Sequence, residues 1–406
     1  MNESRSEVWK AMRRDFAFAE RGVAWLDNAA TTQKPEPVLE AMGEFARFHN
    51  ANVRRGVHRL AAEATAAYEG VREAVARFAG AGAAEEIVFT SGATAAIHLA
   101  VEGLVMPELR AGDEVWVTLA EHHSNFLPWA RAAREAGAVF RTVPVGADGR
   151  ADLAAFHALA TPGRARWLAA TWVSNATGAE NEPAALARAA HAVGARVLLD
   201  ATQGVVHKRL HVAESGCDLA VFSAHKMYGP TGVGVLWGRP ECLASMRPVV
   251  LGGEMVDRVE ADGSAVWTGV PWRFEAGTPN IVGVVGLGAA VEWIGKLPEG
   301  AAAHECRLAA AARQQLAEIP GVRIASVPDA AAMVTFTLDG VHPHDVTQVL
   351  DERNVAVRAG WLCAEPLLRH IAGGPVVRAS FAPYNTMEEV EALVDGVRAA
   401  KEIFAP

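Results

Sequence analysis

The chain has 406 residues and a formal net charge of −9, and 51% of its residues are hydrophobic. This length predicts roughly two to three domains, and the composition predicts large buried cores rather than disorder. The negative charge, without any long block of Lys and Arg, argues against nucleic-acid and anionic-membrane partners, so neither is expected.

The N-terminal segment and the cysteines indicate where the protein resides. Residues 1–16 mix charged and apolar side chains, which predicts an amphipathic helix without the apolar centre of a signal peptide. The longest uncharged apolar stretch, residues 281–291, is too short to span a bilayer. The four cysteines are scattered and lack C-x-x-C spacing. We therefore expect a reduced, cytoplasmic protein without a metal site.

From about residue 86, short apolar runs alternate with Ala-rich helical segments. This alternation is typical of a mostly parallel sheet covered by helices. The predicted strands are residues 86–90, 114–119, 166–172, 195–200, 218–223 and 232–237. The predicted helices between them include residues 93–105, 128–136 and 183–193.

After about residue 290 the pattern changes to that of a smaller α+β domain. The predicted elements there are a long helix over 291–319, strands at 331–338, 355–358 and 376–381, a helix from Pro343 and a last helix. We therefore predict three parts: a helical arm (1–22) that packs with the small domain, a large domain (23–289), and a small domain (290–406) that carries Cys363 and Arg378.

Chemically useful side chains follow five successive predicted strands. They are the Gly turn at residues 91–94, His122, Asn175, Asp200 and Lys226. Ligands of open parallel sheets sit at the carboxyl ends of the strands, so these groups should converge. A phosphate-sized turn, an imidazole, an amide, a carboxylate and an amine are what pyridoxal phosphate (PLP) requires. We predict a PLP enzyme whose cofactor aldehyde forms a Schiff base with Lys226.

Each of these groups also has an ordinary interpretation. The turn at 91–94 could be a capped strand–helix connection, and Asp200 could be a helix N-cap. Lys226 could be a loop lysine paired with an acid, although its place between a buried strand and a Gly/Pro turn predicts desolvation and a lowered pKa. Arg378 lies in an apolar strand, where it could bind a substrate α-carboxylate or form an internal salt bridge.

Several segments resemble the class V aminotransferase-like enzymes of PLP fold-type I, and among them the SufS-type (group II) cysteine desulfurases and selenocysteine lyases. The segments are residues 25–30, 121–125, 200–203, 222–232, 272–280 and 383–385. The resemblance therefore covers nearly the whole chain. It implies a mostly parallel, seven-stranded sheet in a large domain beside a smaller α+β domain.

The resemblance also implies roles for individual residues. For the cofactor, it implies Lys226 at the aldehyde, Asp200 at the pyridine nitrogen, Gln203 at the ring oxygen, His122 stacked on the ring, and Ala93, Thr94, Ser223 and His225 at the phosphate. Asn175, after its strand, could contact the ring oxygen or the substrate. Thr278 would reach the phosphate of a partner subunit, which implies a homodimer with two composite sites. For the substrate, it implies Arg378, Asn175, Arg358 and Arg55.

Cys363 defines the reaction that the resemblance implies: its thiolate takes the sulfur of L-cysteine as a persulfide and leaves L-alanine. Sulfur abstraction needs a thiolate, which Arg358 would favour, and Lys226 would shuttle protons. The persulfide would pass to a sulfur-acceptor protein, in sulfur mobilisation such as iron–sulfur cluster assembly. The chain departs from close relatives at Trp361 and Leu362, which replace the usual histidines, and at Arg54, where a histidine is common.

Three alternatives remain open at this point. Selenocysteine could be the preferred substrate. The enzyme could be another class V lyase, epimerase or aminotransferase, in which Cys363 is a bystander. A nucleotide-binding module that uses the Gly turns would instead carry no PLP.

Overall fold

The computed structural model describes residue 9, residues 11–146 and residues 148–404. Within these residues the chain forms a large α/β part around a seven-stranded sheet and a smaller part around a four-stranded antiparallel sheet. The strands are β1 (Ala24–Trp25), β2 (Ile87–Thr90), β3 (Glu114–Thr118), β4 (Val139–Val143), β5 (Ala165–Thr171), β6 (Arg196–Asp200), β7 (Leu219–Ser223), β8 (Gly234–Gly238), β9 (Val256–Val259), β10 (Ala265–Trp267), β11 (Val322–Ile324), β12 (Met333–Leu338), β13 (Val355–Ala356), β14 (Arg358–Gly360) and β15 (Val376–Ser380).

The large sheet has the strand order β2-β8-β7-β6-β5-β3-β4. Only β8 runs against its neighbours, and the pairs β7-β6, β6-β5, β5-β3 and β3-β4 are parallel. This confirms the predicted mostly parallel, seven-stranded sheet. Helices cover both faces of the sheet, and the central strands are therefore continuous apolar runs. In β7, for example, every residue is buried.

Helices cover both faces of the large sheet and one face of the small one. The longer helices are Glu36–Glu44, Arg59–Ala79, Ala93–Ala100, Leu127–Ala136, Leu153–Leu159, Pro183–Ala192, Ile281–Gly295, Ala301–Ala317, Pro343–Asp351, Glu365–Ile371 and Met387–Phe404; the shorter ones are Met106–Glu108, Val212–Ser215 and Pro240–Ser245. Their apolar faces form two separate clusters against the large sheet. A third cluster fills the small part, between its sheet and its helices.

Two predicted elements after residue 290 are wrong in extent. The long helix over 291–319 is two helices, Ile281–Gly295 and Ala301–Ala317. Pro298 and Gly300 separate them, since a proline cannot continue the helix and Gly300 adopts a φ of 91°. The predicted strand 355–358 is also divided: β13 pairs with β1, whereas β14 pairs with β15.

The predicted division of the chain can now be compared with the packing. Helix Ile281–Gly295 runs across residue 289, and its buried residues join the cluster of the large part, so we propose that the boundary lies between this helix and the next. Trp9 and Phe16 of the arm pack with Trp293 and Tyr384, and thus contact both parts. Residues 1–8 and 10 of the predicted arm lie outside the described residues. No helix in the described ranges is long and apolar enough to cross a membrane.

Candidate active site

A cavity of about 630 Å³ lies where the carboxyl ends of β2, β3, β5, β6 and β7 meet the small part. Residues predicted for the site line it: Ala93, Thr94, His122, Asn175, Asp200, Gln203, Ser223, His225, Lys226, Arg358, Cys363 and Arg378. Five strand ends and two segments of the small sheet therefore deliver their side chains to one place. Arg55 and Thr278 do not line this cavity.

One end of the cavity suits an anion. Helix Ala93–Ala100 begins there, and its first N–H groups have no partners within the helix. The Ala93 N–H donates to Ser223 Oγ at 2.8 Å, and the Thr94 and Ser124 hydroxyls are 2.9 Å apart. Gly234 on β8 lets the turn approach closely, because a Cβ on it would lie 2.3 Å from the carbonyl carbon of Gly92. These groups form a cup of hydrogen-bond donors, in which the hydroxyl proton of Ser223, whose oxygen accepts the Ala93 N–H, is left for an anion.

Lys226 ends a short 3₁₀ turn that directly follows β7. The threonine hydroxyls of Thr31 and Thr32 both donate to the His225 carbonyl, which fixes this turn. No described residue accepts a hydrogen bond from the Lys226 amine, so the predicted alternative of a paired loop lysine does not hold here. Burial lowers its pKa to about 8, although the nearby Asp200 charge opposes the shift.

Asp200 closes β6 and keeps half of its carboxylate free. Its Oδ1 accepts the Thr202 N–H at 2.9 Å. Turns rather than a helix follow Asp200, so the helix N-cap that the sequence left open is not what this carboxylate forms. Its Oδ2 makes no hydrogen bond to a described residue, and the Thr202 hydroxyl is buried without a partner. Beside it, Gln203 Nε2 donates to the Ala29 carbonyl at 2.7 Å. The free oxygen can therefore accept a hydrogen bond from a protonated ring nitrogen.

His122 lies over the same cavity as a neutral ring. Burial, and then the charge of Lys226, lower the pKa of its imidazole to about 4. Its Nδ1 accepts the Ser124 N–H at 3.1 Å, so in the neutral ring the proton sits on Nε2. An uncharged imidazole that is fixed in this way can stack on an aromatic ligand. The pKa of His225, at the anion end, is likewise lowered to about 4 by burial.

Two arginines of the small part share one carboxylate, Asp27. Arg358 donates to it through Nε and Nη2, the latter at 2.8 Å, and Arg378 Nη2 donates at 3.2 Å. The internal salt bridge that the sequence left open for Arg378 therefore exists. Arg378 still has a buried Nε without a partner, and burial lowers its pKa to about 10. A free donor on a buried cation remains for a substrate carboxylate.

Cys363 lies at the mouth of the cavity and is exposed. Its carbonyl accepts the His123 N–H at 2.7 Å, and the preceding Leu362 carbonyl accepts Asn175 Nδ2 at 2.7 Å. The nucleophile predicted from the sequence is thus anchored to the strand ends that hold the other groups.

Sequence reasoning missed three residues at this site. Asp27 pairs the two arginines, and His123 contacts the Cys363 segment. The third is the buried Glu121, whose carboxyl accepts the Thr171 N–H and Asn125 Nδ2, each at 2.6 Å. Burial raises the pKa of Glu121 to about 8. All three lie in segments that carried the family resemblance, and that was the available signal.

Arg55 and Thr278 lie on a separate surface. Arg55 Nη2 donates to the Val256 carbonyl at 2.6 Å, and its Nε lies 3.5 Å from Glu254 Oε2. Thr278 is exposed, and its neighbour Gly277 donates to the Gly253 carbonyl at 2.9 Å. Within its own chain Arg55 therefore does not reach the cavity, because its side chain is held by the segment at 254–256.

The residues present fit PLP. The free Lys226 amine, the free Asp200 oxygen and the donor cup at Ala93 match the aldehyde, ring nitrogen and phosphate of that molecule. The orphaned Thr202 hydroxyl and Arg378 Nε are the buried polar atoms that a bound ligand would satisfy. In the described ranges, no group of three or more His, Cys, Asp or Glu residues is placed to hold a metal ion.

Comparisons with known proteins agree with this geometry. The family model described as aminotransferase class-V matches residues 24–393. A probable cysteine desulfurase of Halalkalibacterium halodurans is 42% identical over 94% of each chain. The crystal structure of the cysteine desulfurase CsdA (S-sulfonic acid) from Escherichia coli superposes with a TM-score of 0.92 at 39% identity, covering 98% of this chain and 99% of that one. The apo structure of a cysteine desulfurase from Thermococcus onnurineus gives 0.91 at 36%, covering 97% of both chains.

Proposed function

This chain belongs to the aminotransferase class-V family, together with cysteine desulfurases, and on that premise we propose that it converts L-cysteine to L-alanine and stores the sulfur as a persulfide on Cys363. The chain is an enzyme, and PLP is its cofactor. The observation that carries the proposal is an exposed cysteine at the mouth of a cavity that also holds an unpaired lysine and a free carboxylate oxygen.

The binding roles follow from the groups left free. We assign the phosphate to the N–H groups and hydroxyls around Ala93, Thr94 and Ser223, with His225 beside them. Asp200 would hold the proton on the pyridine nitrogen. When bound, PLP supplies a covalent attachment for the substrate amine and an electron sink for its carbon skeleton.

Further roles complete the cofactor site. Gln203 and Asn175 lie at the cavity wall, where they would contact the ring oxygen, and the neutral His122 would cover one ring face.

The chain's own residues carry the remaining chemistry. Lys226, with its lowered pKa, can take a proton from the substrate α-carbon and return one later. Arg378 would hold the substrate carboxylate through its free Nε. Arg358 lines the cavity together with Cys363 and brings a positive charge to the part of the cavity where the sulfur would be transferred.

The sulfur transfer balances without an added oxidant. The Cys363 thiolate attacks the substrate sulfur, an S–S bond forms, and the carbon–sulfur bond breaks. The electron pair of the broken bond stays with the substrate carbon, which then takes a proton. The net reaction converts cysteine and the Cys363 thiol to alanine and a Cys363 persulfide. The exposed position of Cys363 supports hand-over of this sulfur to an acceptor protein.

We further propose a homodimer in which Arg55 and Thr278 complete the partner's site. Arg55, the segment at 253–256 and Gly277 are joined by hydrogen bonds, so the two residues belong to one continuous surface. Exposed apolar side chains lie nearby in sequence on the same segments: Val57, Leu60, Val250, Leu251, Val259, Val266 and Trp267. Exposed apolar area of this kind marks an association surface.

The dimer is tested by mixing two inactive variants, Thr278→Ala and Lys226→Ala, and allowing their subunits to exchange. If Thr278 acts across the interface, mixed dimers contain one site with both native residues and activity reappears. A monomer in light scattering, native activity of Thr278→Ala on its own, or a mixture of two inactive variants in which no activity reappears would overturn the proposal.

A reducing, cytoplasmic setting is also proposed. All four cysteines are free thiols, and two of them, Cys217 and Cys242, are buried with pKa values raised by burial to about 12 and about 11. A free thiol nucleophile persists best where thiols are kept reduced.

The activity is tested by measuring alanine released from L-cysteine. We expect Cys363→Ser to lose turnover by roughly 10²-fold or more, because the hydroxyl is a poor nucleophile at neutral pH. Cys306→Ser is the matched control, since Cys306 is the other exposed thiol, and it should keep the native rate. Native turnover in Cys363→Ser, or pyruvate and ammonia as the products, would overturn the proposal in favour of a different class V reaction.

A further inference from the structure

The segment that carries the nucleophile, residues 361–365 and called here the Cys loop, is fastened to two strand-end turns. Asn175 Nδ2 donates to the Leu362 carbonyl at 2.7 Å. The His123 N–H donates to the Cys363 carbonyl at 2.7 Å, and the Glu365 N–H donates to His123 Nε2 at 3.3 Å. His123 therefore contacts the loop at the reactive residue itself and two residues beyond it, and Asn175 contacts the residue before it.

The backbone of the loop is held in an unfavourable conformation. Leu362 and Cys363 have φ values of 50° and 54°, in the left-handed region that few residues other than glycine adopt. Within the loop, the Ala364 N–H donates to the Trp361 carbonyl at 2.8 Å. Two consecutive left-handed residues persist only where their surroundings hold them, and such sites cluster where geometry matters for function.

Apolar packing of the Leu362 side chain also holds the Cys loop in place. Leu362 is 7% exposed and lies in an apolar cluster with Ala120 and Ala176, which follow β3 and β5, and with Leu367 and Leu368 of the next helix. One leucine thus fills the space between the strand ends and the small part, directly beside the nucleophile. Of these two consecutive residues, Leu362 is buried and Cys363 is exposed. Burial of the leucine therefore turns the adjacent thiol towards the cavity mouth.

From these contacts we propose that His123 and Leu362 are positioning residues that hold the Cys363 thiol in one place before substrate arrives. The inference rests on the proposed function in that Cys363 is taken as the sulfur acceptor. Leu362 acts by filling the apolar cluster, and His123 by accepting the Glu365 N–H. A nucleophile held in place loses no rate to a search for its attacking position.

The test compares four variants of the PLP-loaded enzyme. His123→Leu removes the acceptor for the Glu365 N–H, whereas His123→Gln keeps one. Leu362→Ala empties part of the apolar cluster, whereas Leu362→Met refills it. Leu159→Ala, at a leucine that is 61% exposed and far from the loop in sequence, is the control for loss of a leucine side chain.

The first measurement is hydrogen–deuterium exchange of the peptide that contains the Cys loop, without substrate. We expect faster exchange in His123→Leu and Leu362→Ala, and near-native exchange in His123→Gln, Leu362→Met and Leu159→Ala. This readout needs no desulfurase activity. It therefore tests the fastening even if Cys363→Ser were to keep native turnover and the proposed function failed.

The second measurement is the kinetics of alanine formation. We expect kcat to fall roughly 10- to 100-fold in His123→Leu and Leu362→Ala while KM for cysteine stays near native, because the groups assigned to substrate binding, Lys226 and the free Nε of Arg378, lie outside the loop. The spectral change on adding cysteine should keep its native rate. Unchanged exchange and unchanged kcat in both variants would overturn the proposal, and so would an equal loss in substrate binding and in the later step.

Discussion

Two buried groups of charge lie beside the large sheet and differ in how far their hydrogen bonds are satisfied. Arg72 and Glu275 are joined by two bonds, at 2.6 and 3.0 Å, and Glu275 also accepts the Phe89 N–H and the Tyr68 hydroxyl. At the cavity, by contrast, Lys226 has no acceptor and Asp200 has a free oxygen.

The difference separates structural from functional burial of charge. The Arg72–Glu275 pair holds the chain before Thr278 against β2 and has no capacity left for a ligand. The residues at the cavity, in contrast, have polar atoms that lack hydrogen-bond partners in the described part of the chain, around an open volume. Such atoms cost free energy unless a ligand binds to them. Burial of a charge alone would not distinguish the two. What distinguishes the cavity is that its lysine amine and one of its carboxylate oxygens have no partner among the described residues, beside an open volume.

The largest effect is expected at the cavity lysine. Lys226→Met should lower turnover by roughly 10³-fold or more, because both the covalent attachment and the proton shuttle are lost. Alanine formation under saturating PLP and cysteine measures this loss. Lys34→Met is the matched control, since Lys34 is a partly buried lysine that does not line the cavity. Comparable activity in the two variants would contradict the role assigned to Lys226.

The next effect is expected at the satisfied pair. Arg72→Met should lower the free energy of unfolding by about 3 kcal/mol, because the buried Glu275 then loses one of its two cationic partners and keeps only Arg54. Urea unfolding measures this change. Arg323→Met, which removes an exposed ion pair with Asp339, should cost no more than about 1 kcal/mol. Equal losses in the two variants would show that burial of the pair does not matter.

A smaller effect is expected at the carboxylate of the cavity. Asp200→Asn keeps an acceptor oxygen for the Thr202 N–H but removes the charge that would hold a proton on the cofactor ring. We expect turnover to fall roughly 10²- to 10³-fold with little change in urea unfolding. Native turnover in this variant would contradict the role assigned to the Asp200 carboxylate at the ring nitrogen.

The smallest effect is a pH dependence of the protein freed of PLP. Folding lowers the pKa of Lys226 from 10.5 to about 8, so the unfolded chain binds more protons between these values. The stability of the wild type should therefore rise as the pH increases from about 8 to about 10.5, and Lys226→Met should lack this part of the rise. Below about pH 8 the variant should be the more stable by on the order of 1–3 kcal/mol. Parallel pH curves for the two proteins would contradict the lowered pKa.

The sheet was predictable from sequence because its central strands are continuous apolar runs. Two edge strands of the two main sheets were missed, β4 and β11. Most residues of β4 are exposed and β11 has three residues that are only partly covered, so neither gives a buried apolar run. The extent of the helix after residue 290 was wrong because a helical pattern continues on both sides of the break at Pro298. The local sequence pattern therefore predicts buried elements well, but it predicts the ends of elements and the exposed edge strands poorly.

The cavity was predictable because parallel strands place their carboxyl ends together, so residues after each strand could be expected to meet. The partner of Arg358 was not predictable in this way. Asp27 lies more than three hundred residues earlier, on the segment that follows β1, and only the packing of the small part brings the two together. The same holds for His123, whose contact with the Cys loop depends on the position of that part.

The central claim is that the unpaired amine over the cavity is where the cofactor is attached. The direct measurement is borohydride reduction of the PLP-loaded enzyme, followed by digestion and mass spectrometry of the lysine peptides. The account predicts one reduced pyridoxyl group, on Lys226. A pyridoxyl group on Lys34 or Lys208 instead, or none on any lysine, would contradict it.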